Sequence, residues 1–405
     1  MACKATCPWQ IPEFESQLVR IMRSIVLLAL LFTSTAVQAQ IPKVVSLGDV
    51  PSRYERMGLR VTTFGDKVAL FGGYEYPDKQ CLTDVGFLDG NGRERPSGIQ
   101  LKLGRNHFGA IPLDRRRTLV FGGYGKGDLT LDEVEAVDLS TGKVEQWPSL
   151  PNPVELFSSV RFGNKVAVIG GLRNQDMTRT WDSVQVLDLK THLSKLNSGV
   201  LKTSRFGADA VWVPSGRKVV IAGGKHVTQV PDGVGKTKAS YQALSSIEIW
   251  DPATGRVSDG GHMVFRRDRP RLVALQNGKV LILGGRSDNE TLKSIELYDP
   301  ATHLSKVVGS LGARRMALAL LPFEDGILIS GGWTDEPDKA CDIEYLDLRT
   351  YKVVTVGRSE VCRAEHAMAW VRPEVFALIG GKDAFKGRDP ERYRFASTEL
   401  FKVIP

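Results

Sequence analysis

VLILGG, from Val280 to Gly285, is a run of four apolar residues closed by a glycine doublet, and the chain carries seven segments of this kind. The others are VALFGG ending at Gly72-Gly73, TLVFGG at Gly122-Gly123, VAVIGG at Gly170-Gly171, VVIAGG at Gly223-Gly224, ILISGG at Gly331-Gly332 and FALIGG at Gly380-Gly381. Successive doublets are spaced 47 to 61 residues apart. A period near fifty marks a repeat array rather than a string of independent domains. Each run is short, continuous and apolar, as a strand covered on both faces must be. Paired glycines suit a place where the backbone turns sharply and neighbouring strands come close.

Reading outward from each doublet, a second strand ends in an apolar residue followed by Asp. It appears as VGFLD to Asp89, VEAVD to Asp138, VQVLD to Asp188, IEIWD to Asp251, IELYD to Asp299 and IEYLD to Asp347. The seventh copy, TELFK, has Lys402 in that place. A turn such as PATG (Pro252–Gly255) follows, then a final strand such as KVEQW (Lys143–Trp147). An alternating segment such as FGADAVWV (Phe206–Val213) precedes each doublet. Four strands, A to D, repeated seven times describe a β-propeller whose blades surround a central channel.

On these residues the chain resembles the Kelch family, whose repeats carry the apolar-Gly-Gly signature on strand B. The resemblance covers residues 41–405 and implies an all-β, seven-bladed propeller with four antiparallel strands per blade. The strand D tryptophan of that family is kept only as Trp147. Closure of the ring is also legible. After the strand C at Glu399–Val403 only Ile404 and Pro405 remain, so the last blade lacks its own strand D. Lys43–Arg53, KVVSLGDVPSR, matches Ser305–Arg315, SKVVGSLGARR, which is a strand D entering the next blade. The N-terminal segment is therefore expected to pair onto the last blade and cover an edge that would otherwise expose backbone groups.

The 405 residues, 42% hydrophobic and 25% charged, are ample for a buried core and exclude a disordered chain. The net charge of +8 is spread along the sequence, so nucleic-acid binding is not implied. No apolar run reaches the length of a membrane-spanning helix, and no stable membrane insertion is expected. Met22-Arg23-Ser24, then IVLLALLF from Ile25 to Phe32, then small residues at Val37 and Ala39, follow the three-part plan of a secretory signal. Residues 1–39 are thus expected to be a signal peptide with an N-terminal extension, translation starting at Met22. Residues 40–405 would form one propeller, secreted or periplasmic and monomeric. Of the five cysteines, Cys81, Cys341 and Cys362 lie beyond the cleavage point. Cys341 begins a strand C and Cys362 lies on the same face, so a Cys341–Cys362 disulfide is expected, with Cys81 left as a thiol; three reduced thiols are the alternative.

The connections from strand D to the next strand A share one face with the loops from B to C, and loops on a rigid scaffold concentrate function. At the D-to-A position stand Arg56, Arg105, Arg205, Arg269, Arg315 and Arg363, with Arg271 and Arg314 as neighbouring alternatives and Glu155 in the third repeat. Six guanidiniums around one channel mouth would form a funnel for carboxylates. The competing expectation is that each arginine pairs with a loop carboxylate or faces water. The long loops 225–246 and 382–396 are either lids or disordered.

Other motifs fall away. GVGKT (Gly233–Thr237) lacks the strand-loop-helix setting of a phosphate loop. His192 and His303 recur in matching THLSK turns, and one His366 beside Glu365 makes no metal site, so neither metal nor cofactor is expected. Copper oxidases on related propellers need paired histidines and a modified tyrosine, for which there is no matching set. The favoured function is a binding module for an anionic carbohydrate or protein carboxylates. The alternative is a sugar-processing enzyme like the sialic acid mutarotase propellers, to which the similarity is architectural. Such chemistry needs a cation for the substrate carboxylate, here Arg56, Arg105 or Arg205, and an acid/base, here Glu155, Glu365 or His366.

Overall fold

The computed structural model describes residues 41–75, 78, 80–173, 178–231, 237–336, 339–384 and 397–404. The expected signal segment, the start at Met22 and most of loop 382–396 lie outside the described residues. The described residues build seven four-stranded antiparallel sheets, each in the order A-B-C-D. Blade 1 comprises Arg60–Phe64, Lys67–Phe71, Asp84–Leu88 and Glu94–Gln100. Blade 2 comprises Gly109–Pro112, Arg117–Phe121, Val134–Asp138 and Val144–Trp147, and blade 3 Ser158–Phe162, Lys165–Ile169, Val184–Asp188 and Ser194–Leu196. Blade 4 is Asp209–Val213, Lys218–Ala222, Ser246–Trp250 and Val257–His262; blade 5 is Arg271–Ala274, Val280–Leu283, Ser294–Asp299 and Leu304–Ser310. Blade 6 is Ala319–Phe323, Gly326–Ser330, Asp342–Asp347 and Val353–Arg358. Blade 7 takes Ala367–Arg372, Val375–Ile379 and Ser397–Ile404 from the end of the chain and Lys43–Pro51 from its beginning.

The strand B runs are apolar because both of their faces are covered. Leu119, Val120 and Phe121 are fully buried, as are Val280 to Leu283. Seven apolar clusters hold the sheets together, one between each pair of neighbours. One of them packs Leu70 and Leu88 of blade 1 against Val371, Ala377 and Leu400 of blade 7, so the wheel is closed. Burying an aliphatic side chain of this size stabilises by about 1.5–3 kcal/mol, and these clusters carry most of the fold.

Strand C ends in Asp because the turn that follows needs an acceptor. Asp138 Oδ1 accepts from the amides of Ser140 and Thr141 at 2.9 and 3.1 Å, and Asp188 and Asp347 repeat the arrangement. Blade 7 has no such turn, since its outer strand comes from the N-terminal segment. Lys402 therefore replaces Asp, and the strand runs on to Ile404, pairing Lys43 with Ile404 and Pro51 with Ser397.

Candidate functional site: the mouth of the channel

Each blade is entered through three equivalent residues: Arg56-Met57-Gly58, Arg105-Asn106-His107, Val154-Glu155-Leu156, Arg205-Phe206-Gly207, Arg267-Asp268-Arg269, Arg315-Met316-Ala317 and Arg363-Ala364-Glu365. The arginines at the first place do not face the channel. Arg56, Arg105, Arg205, Arg315 and Arg363 are at most 1% exposed, and in blade 5 the equivalent residue is Arg267, not Arg269. Each sends Nη1 to the carbonyl of the first glycine in its own blade's doublet, as Arg105 does to Gly122 and Arg363 to Gly380, both at 3.0 Å. Nη2 meets a carboxylate on strand C: Glu135 for Arg105, Glu248 for Arg205, and at 2.7 Å Glu296 for Arg267 and Glu344 for Arg315. The expected funnel of guanidiniums is thus corrected to a set of internal struts, paired with strand rather than loop carboxylates. Burial lowers the pKa of Arg105, Arg205, Arg267 and Arg363, and nearby carboxylates oppose the shift.

The exceptions obey the same electrostatics. In blade 1 the strand C place holds Gly86, and Glu94 from strand D reaches across it to Arg56 at 2.6 Å. In blade 7 Arg363 meets Asp49 of the N-terminal strand at 3.4 Å. Blade 3 has lost both partners together: Val154 stands for arginine and Gln185 for glutamate, and Gln185 bonds the backbone of Asn152 instead. A carboxylate buried there without a cation would be strongly destabilising.

The backbone of the same residues links blade to blade. The second glycine of each doublet donates its amide to the first-place carbonyl of the next blade. Examples are Gly73 to Arg105 at 3.0 Å, Gly123 to Val154 at 2.8 Å and Gly381 to Arg56 at 2.9 Å. Both glycines have positive φ, and a Cβ on the first would press on that carbonyl, 2.5 Å from Arg56 O in the case of Gly380.

It is the third residue that faces the channel. Gly58, His107, Leu156, Gly207, Arg269, Ala317 and Glu365 all have φ between 48° and 64°. Together they ring a cavity of about 140 Å³. Amides of this ring donate to the carbonyl of the preceding blade's member, Gly58 to Glu365 at 2.9 Å and Arg269 to Gly207 at 2.8 Å. Arg60 and Arg271, the first residues of their strands, add two more guanidiniums to the lining.

Opposite charges gather around Glu365. Its Oε1 accepts from Trp333 Nε1 at 3.3 Å and lies 3.5 Å from Lys382 Nζ. His107 sits between two carboxylates, with Nε2 3.9 Å from Glu365 Oε2 and Nδ1 3.8 Å from Glu155 Oε2. His107 Nδ1, Glu155 Oε1 and Glu365 Oε2 are buried atoms with no hydrogen-bond partner among the described residues. Burial alone would raise the Glu365 pKa, but His107, Lys382 and Arg269 outweigh it and hold the carboxyl below the usual range. Glu365 is therefore ionised, an acceptor rather than an acid. His366 occupies a place filled elsewhere by Leu59, Phe108, Phe157, Ala208, Pro270 and Leu318. Burial, with Arg363, Arg315 and Arg271 nearby, lowers its pKa to about 3, so it is neutral.

Of the residues expected at a site, the cavity thus collects Arg269, Glu365, His366 and the alternative Arg271, with Glu155 behind His107. Arg314 pairs with Glu290 on the surface. His107 and Arg60 were not anticipated. Cys341 and Cys362 form a disulfide that ties the connection bearing Arg363 and Glu365 to blade 6, while Cys81 Sγ lies 3.4 Å from the Tyr124 carbonyl. Among the described residues no group of His, Cys, Asp or Glu is arranged to hold a metal, and no helix is long and apolar enough to cross a membrane.

The Kelch motif matches residues 269–312, which run from the channel-facing Arg269 through the doublet of blade 5 and past the end of its strand D. The solved structure of YjhT is similar at 16% identity with a TM-score of 0.50, over 62% of this chain and 84% of that one. No curated protein matches the sequence. The chain is a β-propeller, and its fifth blade carries a match to the Kelch motif.

Proposed function

We propose that the channel mouth is a binding site for a small anionic ligand, the carboxylate of an acidic sugar or of a protein side chain, on an exported propeller. The observation that carries this reading is the set of three guanidiniums, Arg60, Arg269 and Arg271, lining one cavity. Guanidinium is the side chain best suited to hold a carboxylate by paired hydrogen bonds. The carboxylate role once open to Arg56, Arg105 or Arg205 passes to these three. Glu365 and His107, members of the same ring, would orient hydroxyl groups of the same ligand. Calorimetric titration with a panel of acidic and neutral monosaccharides tests it. Binding confined to the acidic sugars and lost in Arg269→Ala/Arg271→Ala supports the site; equal binding of neutral sugars, or none of any, removes it.

A second reading, proton transfer on an acidic sugar of the kind catalysed by sialic acid mutarotase propellers, is favoured by one observation. His107 and its two carboxylates bring proton acceptors and a donor to within 4 Å beside the arginines. Exchange of sialic acid anomers followed by NMR decides it, with His107→Gln as the diagnostic variant.

A further inference from the structure

The A-to-B and C-to-D turns lie at the end of every blade opposite the channel mouth. Between blades 3 and 4 they enclose a cleft made of two cavities, about 790 and 340 Å³, that share Phe162, Lys165, Pro252 and Ala253 as walls. Strand D of blade 3, whose end lines the cleft, is three residues long, Ser194–Leu196, against four in blade 2 and six in blade 4. One wall is aromatic. The rings of Phe162 and Trp212 stack at 5.7 Å, and Trp250 meets Phe162 edge-on at 5.4 Å. Trp250 is 1% exposed, and its indole N–H has no acceptor among the described residues.

The rim is cationic. Lys165, Lys190, Lys195 and Arg217 are exposed around the opening. The lining carboxylates, Asp188 and Asp251, are both already engaged. Asp188 caps its turn through the amides of Lys190 and Thr191. Asp251 accepts from Ala253 and pairs with Lys218 at 2.5 Å, and the Lys218 hydrogen bond leads the causes that lower its pKa to about 2. Asn164, Ser198 and Thr254 place neutral polar groups between the cations. Flat apolar faces beside hydrogen-bonding groups suit sugar rings, and a ring of cations suits acidic substituents on them. One stacked aromatic pair, rather than a succession of stacking platforms along a groove, does not suit a nucleic-acid strand.

We infer that this cleft binds an acidic oligosaccharide, its sugar rings against Phe162 and Trp212 and its carboxylate or sulfate groups among Lys165, Lys190, Lys195 and Arg217. The site is separate from the channel mouth, and neither reading depends on the other. Tryptophan fluorescence and calorimetry with tetragalacturonate, a sulfated dextran oligosaccharide, neutral maltotetraose and an oligothymidylate of equal charge test it. At low salt an acidic oligosaccharide should bind and maltotetraose should not, and the comparison of the two acids tells carboxylate from sulfate. Lys165→Glu/Arg217→Glu, exposed changes that leave the core intact, should weaken binding at least about tenfold. Trp212→Ala should do the same, while Arg269→Ala/Arg271→Ala at the mouth leaves it unchanged. Binding of neither acid, affinity indifferent to the charge reversals, or oligothymidylate binding as tightly as the sugars would each overturn the assignment.

Discussion

Arg105 donates through Nη2 to Oε1 of Glu135, and neither side chain reaches solvent. Such a pair contributes little net stability compared with apolar residues of the same size, yet breaking it leaves a buried charge. Arg105→Met should therefore cost about 3–5 kcal/mol, read as a fall in the urea midpoint. The double change Arg105→Val/Glu135→Gln copies what blade 3 has at Val154 and Gln185, and should recover most of that loss. A double variant no better than the single one would contradict the pairing argument.

His366 makes stability depend on pH in a calculable direction. Its pKa falls from an ordinary 6.5 to about 3 in the fold, so between these values the unfolded chain holds the extra proton. Stability contributed by the neutral ring is complete above pH 6.5 and is lost as pH falls toward 3. The loss is on the order of a few kcal/mol. His366→Leu, which restores the side chain found at the equivalent Leu59 and Leu318, should flatten the pH 4–7 slope of the denaturation midpoint without lowering it at pH 7.

The Gly380 position is constrained from two sides. Its φ is 62°, and an added Cβ would stand 2.5 Å from the carbonyl of Arg56 in blade 1. Gly380→Ala should destabilise by more than about 1–2 kcal/mol, the cost of the left-handed backbone alone. The damage should fall between blades 7 and 1, seen as faster hydrogen exchange at Gly381, whose amide spans that gap.

Reducing the Cys341–Cys362 disulfide removes a cross-link over 21 residues, for which chain entropy predicts about 3 kcal/mol. Thermal unfolding with and without reductant measures it. Because Cys362 is followed at once by Arg363 and, two residues on, by Glu365, ligand binding at the mouth should weaken as well.

The blades were readable because strand B must be apolar on both faces and its doublet must be glycine, constraints that act identically seven times. The closing strand was readable for the same reason, since Lys43–Arg53 repeats a strand D text. The direction of a side chain leaves no such trace. Arginine at the first entry position looks the same whether it points into a blade or into the channel. The clue lay in a second column, where Glu135, Glu248, Glu296 and Glu344 recur on strand C and Gln185 appears only in the blade that lacks arginine. In blade 5 two arginines stand two residues apart, and only the buried pairing with Glu296 separates Arg267 from Arg269. The channel ring itself is Gly, His, Leu, Gly, Arg, Ala and Glu, seven positions alike in backbone and unrelated in chemistry. His107 was invisible because what those positions share is a positive φ, not a residue type.

The pairing of Lys43 with Ile404 brings together residues separated by almost the whole chain. Contacts between neighbouring blades span about fifty residues, whereas this one must gather a loop several times longer, at a higher entropic cost. Blades 1 to 6 can assemble in succession from local pairings, and the seventh is completed only when the two distant segments meet. Docking of that strand is then expected to come last in folding, and until it does the incomplete ring offers an open edge for pairing with another molecule.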